Sequence, residues 1–401
     1  MSLSECDGKR TLLVLASTYP RWAGDPEPGF VHELAKRMTD RFRVVALVPH
    51  TGGARTREML EGVEVHRYRY APQRWETLVN DGGIVANLKR DRWKHLLVPG
   101  FVLAQAWCAW RLLRRERIDV IHAHWLIPQG LIAALLRYLP GGAAPFLVTS
   151  HGADLFALRA WPLPSLKRFV VRHASATTVV SEGMRLEMGA LGLDVNTVAV
   201  EPMGVDLQQR FFPDAGVARS RTELLFVGRL VEKKGLRHLL DALPLIRSVR
   251  PDVTLTVAGF GPELEARREQ ARALGLEEAV EFVGAVSQDA LPPLYRRAAL
   301  FVAPFVAAGT GDQDGLGLVL VEALGCGCPV VVSSMPATRE LAASCMAVHE
   351  AAPGDPQSLS QAVLRALQAQ ESPRPEDIAR FDWEVRADAY GDLLMRAVDR
   401  P

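Results

Sequence analysis

The 401-residue sequence predicts an α/β protein made of two doubly wound parallel sheets in tandem. Three observations predict it. Short apolar runs alternate with longer amphipathic segments, the rhythm of βα units. The rhythm breaks once, in a polar stretch over 206–222 that carries Pro213 and Gly216, and then resumes. The two halves also differ in charge. Residues 1–200 hold 26 Lys and Arg against 18 Asp and Glu, a net of +8, whereas residues 201–401 hold 21 against 28, a net of −7. Domains are therefore expected at 1–206 and 222–380, with a linker at 207–221 and a closing segment at 381–401.

The elements follow in order. Residues 12–16 (Leu-Leu-Val-Leu-Ala) read as a buried parallel strand, 30–38 as a helix, 44–48 as the next strand and 63–68 as an alternating strand. Residues 101–115 have helical spacing, and 120–123 are a strand before a helix at 130–138. Strands at 146–149 and 176–180 follow, the second leading into a helix at 181–191. Beyond the linker, strands are expected at 224–227, 253–258, 280–283, 300–303 and 330–333. Helices are expected at 235–249, 262–274, 288–298, 317–325 and 357–370. Open sheets of this kind take ligands at the carboxyl ends of their strands, so the site is expected in the cleft between the two lobes.

Composition narrows the class. With 48% hydrophobic and 23% charged residues, wholesale disorder and a collagen-like repeat are excluded. The net charge of +1 argues against a nucleic-acid partner. Five cysteines (6, 108, 326, 328 and 345) are too few, and odd in number, for a secreted disulfide framework. Residues 1–10 hold no apolar core, so no signal peptide and a reducing cytoplasm are expected. The longest apolar stretch, 101–113, is broken by Gln105 and Arg111 and falls short of the roughly 18 residues of a membrane span.

Chemistry gathers at the predicted strand ends. Asp314-Gly315-Leu316-Gly317-Leu318 leads into a helix that carries Glu322, and free N–H groups at a helix N-terminus favour an anion. If helical throughout, Asp314 and Glu322 stand on the order of 12 Å apart, about the reach of a nucleoside diphosphate sugar from ribose to hexose. Asp314 reads equally as a helix cap and Glu322 as an exposed helical residue. Gly228, Arg229, Lys234 and Gly235 follow a strand and place two cations where a diphosphate can lie; a solvated basic turn has the same pattern. His151 and Asp154 follow another strand, as site residues or as a loop His with a capping Asp. His122 and His124 raise a metal site, but no Cys or third His stands nearby in sequence, so a core or substrate contact is the preferred reading. Gly259 and Gly261 form a short Gly-x-Gly with no third glycine, at best a lining of a nucleotide pocket. Cys326-Gly327-Cys328 reads as buried packing. Asp312-x-Asp314 is discounted as a metal motif, because the cationic loop already supplies charge for a diphosphate.

Taken together, Ser17-Thr18-Tyr19-Pro20, His122-Ala123-His124-Trp125, Pro128-Gln129-Gly130, His151-Gly152-Ala153-Asp154 and Pro202-Met203-Gly204 resemble a known family over nearly the whole chain. Gly228-Arg229-Leu230, Lys233-Lys234-Gly235, Gly259-Phe260-Gly261, Glu322-Ala323-Leu324 and Gly327-Cys328-Pro329 extend the resemblance. The family is the retaining GT-B glycosyltransferases of family 4, which includes bacterial exopolysaccharide and teichuronic-acid-type enzymes. The resemblance implies two Rossmann-like lobes, with the closing segment crossing back to the first. It implies a UDP-sugar or GDP-sugar donor, no cofactor or metal, and a glycan or lipid-linked acceptor. By resemblance Glu322 holds the ribose hydroxyls, and Arg229 and Lys234 the diphosphate, aided by N–H groups of Gly315, Leu316, Gly317 and Leu318. Asp314 stands where the family usually has Glu, one methylene longer. His151 approaches the donor sugar and Asp154 orients the site. No carboxylate pair suits a double displacement, and the resemblance implies front-face attack, with a donor phosphate oxygen taking the acceptor proton.

The stretch from Lys89 to Arg117 adds a further expectation. It carries Lys89, Arg90, Arg92, Lys94, Arg111, Arg114, Arg115 and Arg117 with Trp93, Trp107 and Trp110 between them. It suits either an anionic membrane surface, with the protein peripheral on the inner face, or an ordinary helix with a solvated basic face. Rival functions are a nucleotide-sugar 2-epimerase of the same fold, a non-catalytic sugar-nucleotide-binding module and a nicotinamide dehydrogenase, the last disfavoured by the missing third glycine.

Overall fold

Runs of Leu, Val and Ile buried on both faces make the strands of two separate sheets. The computed structural model describes residues 8–25, 29–79, 83–369 and 371–399. Cys6 and Gln370 fall outside that set, as do the side chains of Val85, Ala86 and Lys89. The first sheet contains β1 (Arg10–Leu15), β2 (Phe42–Pro49), β3 (Arg57–Leu60), β4 (Val63–Tyr68), β5 (Val120–His124), β6 (Phe146–Ser150), β7 (Ala176–Val179) and β8 (Val198–Val200). Their order is β3-β4-β2-β1-β5-β6-β7-β8. All neighbours are parallel except β3, which pairs antiparallel with β4 through Arg57 and His66 at one end.

The second sheet contains β9 (Glu223–Val227), β10 (Thr254–Ala258), β11 (Val280–Gly284), β12 (Leu300–Ala303), β13 (Val330–Ser333) and β14 (Val348–Ala351). Its order is β11-β10-β9-β12-β13-β14, parallel throughout. In each sheet the order reverses beside the first strand: β1 lies between β2 and β5, and β9 between β10 and β12. Loops leaving the carboxyl ends of those strands diverge there and leave room for a ligand.

The chain divides into two compact units. One comprises 1–180, 185–201 and 386–401, and the other 181–184 and 202–385. Residues 207–221 hold no helix or strand and belong to the second unit. The closing helix, Trp383–Asp399, begins in the second unit and passes into the first from Arg386 onward. There Tyr390 is fully buried, its hydroxyl donates to the Glu201 carbonyl at 2.7 Å, and its ring lies 5.5 Å from that of His122. Arg386 pairs with Glu201 at 2.8 Å, and Arg41 reaches Asp388 and Asp392, each at 2.8 Å.

The long helix of the first unit, Leu97–Arg115, starts earlier than its spacing predicts. Its inner side buries Phe101, Gln105, Ala109 and Leu112, spaced as one helix face. Gln105 donates to the carbonyls of Ala16 and Leu47, both at 3.3 Å, which fixes the helix on the sheet. With its preceding turn, the segment Arg92–Arg115 holds an 18-residue window of mean hydropathy 1.5, long and apolar enough to cross a membrane by length and composition, as core helices of soluble proteins also are. That corrects the expectation that no segment reaches such a length: the turn over Arg92–Leu96 extends the helix that 101–113 only began.

Candidate active site

In the second unit the site is built on the loops after β9 and β12. The backbones of neighbouring loops touch here. Gly228 N–H donates to the Ala258 carbonyl at 3.0 Å, and Gly259 N–H to that of Gly284 at 2.7 Å. A Cβ on Gly259 would lie 1.9 Å from the Gly228 oxygen, and one on Gly261 2.4 Å from that of Leu230. This close approach accounts for both glycines of the Gly-x-Gly without any ligand.

Next comes a tight turn, Glu232–Lys234, closed by Gly235 at φ +69°. A Cβ on Gly235 would lie 1.8 Å from the Pro304 carbonyl oxygen, so only glycine lets the turn sit against the end of β12. The turn places Lys234 Nζ over the Phe305 ring, 4.6 Å from its centre, where it pairs with Asp314 Oδ2. Lys233 Nζ lies 3.2 Å from Asp312 Oδ1 and 3.3 Å from Asp314 Oδ1. Burial lowers the Lys234 ammonium, Asp314 opposes that, and Lys233 and Arg229 add to the lowering. Burial alone would raise the Asp314 carboxyl, but Lys234 and Lys233 together hold it well below the usual carboxylate range. Asp312 and Asp314 therefore face ammonium groups.

The helix that carries Glu322 is Leu318–Gly325, so Asp314 and Glu322 do not lie on one helical run. The 12 Å helical spacing is corrected accordingly. Gly317 turns the chain into the helix at φ +81°, with the Phe305 ring 2.7 Å from where its Cβ would be. That left-handed residue excludes a longer helix. Gly315 and buried Leu316 precede it in an irregular bend. Asp314 does not cap the helix; the cap is Gly317, without a side-chain hydrogen bond. Glu322 is only 6% exposed and accepts a hydrogen bond from the Tyr295 hydroxyl at 2.9 Å, which removes the exposed-helix alternative. Burial raises its carboxyl from the ordinary 4.5 to about 7, with Tyr295 and then Lys234 and Arg210 opposing. Cys326 and Cys328 are buried, and burial pushes each thiol up to about 12. They serve as packing.

In the first unit the loops after β5 and β6 meet. Asp154, 4% exposed, accepts from Leu126 N–H at 2.7 Å, Ser150 Oγ at 3.0 Å and His151 N–H at 3.3 Å. It joins the two loops and fixes the His151 backbone. A third histidine does join the pair foreseen by sequence: His151 Nε2 and His124 Nδ1 share a hydrogen bond at 2.9 Å, with rings stacked 5.2 Å apart. His122 packs 4.1 Å from His124 and bonds Thr149 Oγ1 at 2.8 Å. Burial holds His122 and His151 down to about 3, so the stack is neutral. Among the described residues no cluster of His, Cys, Asp or Glu has the arrangement of a metal site. Trp125, at φ +78°, sets its ring 5.0 Å from His151, and Phe30 lies 4.9 Å from it. The strained backbone of Trp125 directs its ring at His151.

Sequence reasoning missed three participants. Tyr295 lies in an ordinary helix, Leu291–Arg297, and carries no motif. Phe305 follows a strand with no flanking signal. Lys233 carries no separate role in the sequence pattern, where it stands only beside Lys234.

The family described as Glycosyl transferases group 1 matches residues 221–369, and that described as Glycosyl transferase 4-like domain matches 30–204. A phosphatidyl-myo-inositol mannosyltransferase of Mycobacterium leprae is 31% identical over 280 residues, 67% of this chain and 71% of its own. A glycogen synthase of Mycobacterium tuberculosis is 29% identical over 300 residues, 71% of this chain and 70% of its own. Among solved structures, Anabaena Alr3699/HepE in complex with UDP and glucose superposes with a TM-score of 0.69 at 18% identity, covering 96% of this chain and 99% of that one.

Proposed function

The chain belongs to the glycosyl transferase group 1 family and has the GT-B fold, and on that premise we propose that it is a retaining, metal-independent glycosyltransferase that moves a sugar from a nucleoside diphosphate sugar to a glycan or lipid-linked acceptor. The observation that carries this reading is the second unit's pairing of a cationic turn with a buried carboxylate. Lys234 and Arg229 stand at the end of β9, and the uncapped N-terminus of the helix Leu318–Gly325 follows the end of β12. Glu322 lies one turn inside that helix, in reach of a ribose diol.

The mechanism follows from charge. The bond between the anomeric carbon and the diphosphate oxygen breaks, leaving an oxocarbenium-like sugar and a nucleoside diphosphate. Arg229, Lys234 and the helix N–H groups stabilise the negative charge that develops on the leaving oxygen. The acceptor hydroxyl attacks from the face the diphosphate leaves, and a phosphate oxygen takes its proton. Asp314 accepts from sugar hydroxyls, and the neutral His151, fixed by Asp154 and stacked on His124, donates to another. The family match leaves the epimerase and the binding-module readings without support.

The acceptor side includes a surface. The helix Leu97–Arg115 exposes Leu103 and Trp107 at 69% and 56%, with Leu96 at 81% just before it. Arg92 precedes this apolar stripe, and Arg111, Arg114 and Arg115 follow it, all exposed. Lys94 of the expected basic stretch is instead buried and bonds Asn87 and Asp91, so the exposed charge is that of Arg92, Arg111, Arg114 and Arg115. Apolar side chains flanked by these cations suit an anionic lipid surface, and we assign that as the occupant, with the reaction on the cytoplasmic face of a membrane. The mannosyltransferase relative, named for a phosphatidylinositol acceptor, supports a lipid-linked substrate.

A thermal-shift panel of nucleoside diphosphates and their sugars tests the donor assignment. One of them raises the melting temperature selectively, and transfer with that donor persists in excess chelator. A protein indifferent to every nucleotide sugar would overturn the reading.

A further inference from the structure

Lys233 has no role so far, yet it is nearly as deep in the site as Lys234. The two ammonium groups share one carboxylate, each taking one oxygen of Asp314, and Lys233 takes Asp312 as well. The four side chains are between 10% and 16% exposed. Two more ties hold the same loop to the same turn. Gly309 N–H donates to Glu232 Oε1 at 2.8 Å, and Val306 N–H to the Lys233 carbonyl at 3.0 Å. The result is a zipped segment in which two cations are matched by two carboxylates.

A nucleoside diphosphate brings two anionic phosphates. It gains little from lysines already neutralised at contact distance, and carboxylates on those lysines repel it. Protonation does not remove the conflict, because Lys234 and Lys233 keep Asp314 ionised at neutral pH. The carboxylates must therefore leave the lysines before phosphates can take their place.

We propose that Lys233 is a second donor-binding cation, and that Asp312 and Asp314 stand in for the donor's two phosphates until the donor displaces them. Displacement frees the loop over 312–317, while the bonds from Val306 and Gly309 keep its start on the turn. Asp314 is then available for sugar hydroxyls, while Asp312 serves only as a placeholder that weakens donor binding. The inference rests on the reading that Lys234 meets the diphosphate.

Calorimetric titration of UDP and of GDP into the full chain tests it, with Asp312→Asn, Lys233→Met and the double variant beside the wild type. Asp312→Asn is isosteric and tightens binding of the nucleotide the wild type prefers, on the order of tenfold, since one charged hydrogen bond no longer competes. Lys233→Met weakens it by a similar factor. In the Lys233→Met background, Asp312→Asn has no effect, a coupling that a purely structural pair does not produce. Unchanged or weaker binding by a folded Asp312→Asn protein would overturn the proposal while leaving the glycosyltransferase reading intact. If the wild type binds neither nucleotide, both fall. Should Lys233→Met fail to fold, Asp312→Asn alone decides.

Discussion

The Tyr295 hydroxyl donates to Glu322 Oε2 at 2.9 Å inside the second unit, and both side chains are buried. Burial keeps the group near its titration point, against the hydrogen bonds that Tyr295 and Gln288 give the carboxylate. Glu322 is raised from 4.5 to about 7, so between those values the folded protein holds a proton that the unfolded chain does not. The stability this contributes is fully present below 4.5 and is lost as pH rises through about 7. Donor binding runs the other way, because two ribose hydroxyls need an ionised acceptor. Nucleoside diphosphate affinity should rise about tenfold from pH 6 to pH 8. Glu322→Gln should flatten both profiles, as titration calorimetry and melting curves across that range will reveal.

Lys234→Ala should cost transfer on the order of a hundredfold or more, the size expected when a preorganised cation leaves the developing charge. Asp314 keeps Lys233 as a partner in that variant, so the melting temperature should move little. Initial rates at saturating donor, set beside a melting curve, separate the two effects.

Asp154→Ala should act on stability. It leaves the Leu126 and His151 N–H groups and the Ser150 hydroxyl without their acceptor in a buried loop junction, at a cost of about 1–3 kcal/mol. Nucleotide affinity, measured at a temperature where the variant is folded, should be unchanged, since the cationic turn and Glu322 belong to the other unit. Loss of nucleotide binding would contradict the assignment.

The lipid surface is open to test with vesicles. The wild type should sediment with phosphatidylglycerol-containing vesicles, less so at high salt, and not with phosphatidylcholine alone. Leu103→Glu combined with Trp107→Glu should abolish sedimentation at little cost in stability, because both side chains are exposed. A wild type that ignores anionic vesicles sinks the assignment, as does a self-associated form that covers this face.

Much of the fold was legible because parallel strands are buried on both faces. Leu12 to Leu15 and Val330 to Val332 lose almost all contact with water, and such strands read as continuous apolar runs. The strands missed lie at or near sheet edges. β3 is half solvated through Arg57, Glu58 and Met59, β8 has three residues, and β14 carries His349 and Glu350. The helix Leu163–His173 was not foreseen; it begins beside Pro162 and holds Pro164 in its first turn, a position that proline suits. In the site, the strand-end motifs marked Lys234, Asp314 and Glu322 one by one. Their partners were not legible, since Lys233 and Lys234 meet Asp312 and Asp314 across about 80 residues of chain. No local pattern records a contact of that range.

Because the closing helix is shared, the gene has no clean place to be halved. A fragment that stops within 207–221 leaves Tyr390 behind and opens the floor beneath His122 and the Glu201 carbonyl to solvent. The first unit is thus finished by a helix whose Tyr390 is made 189 residues after Glu201, and a nascent chain must wait for that helix before the unit can close.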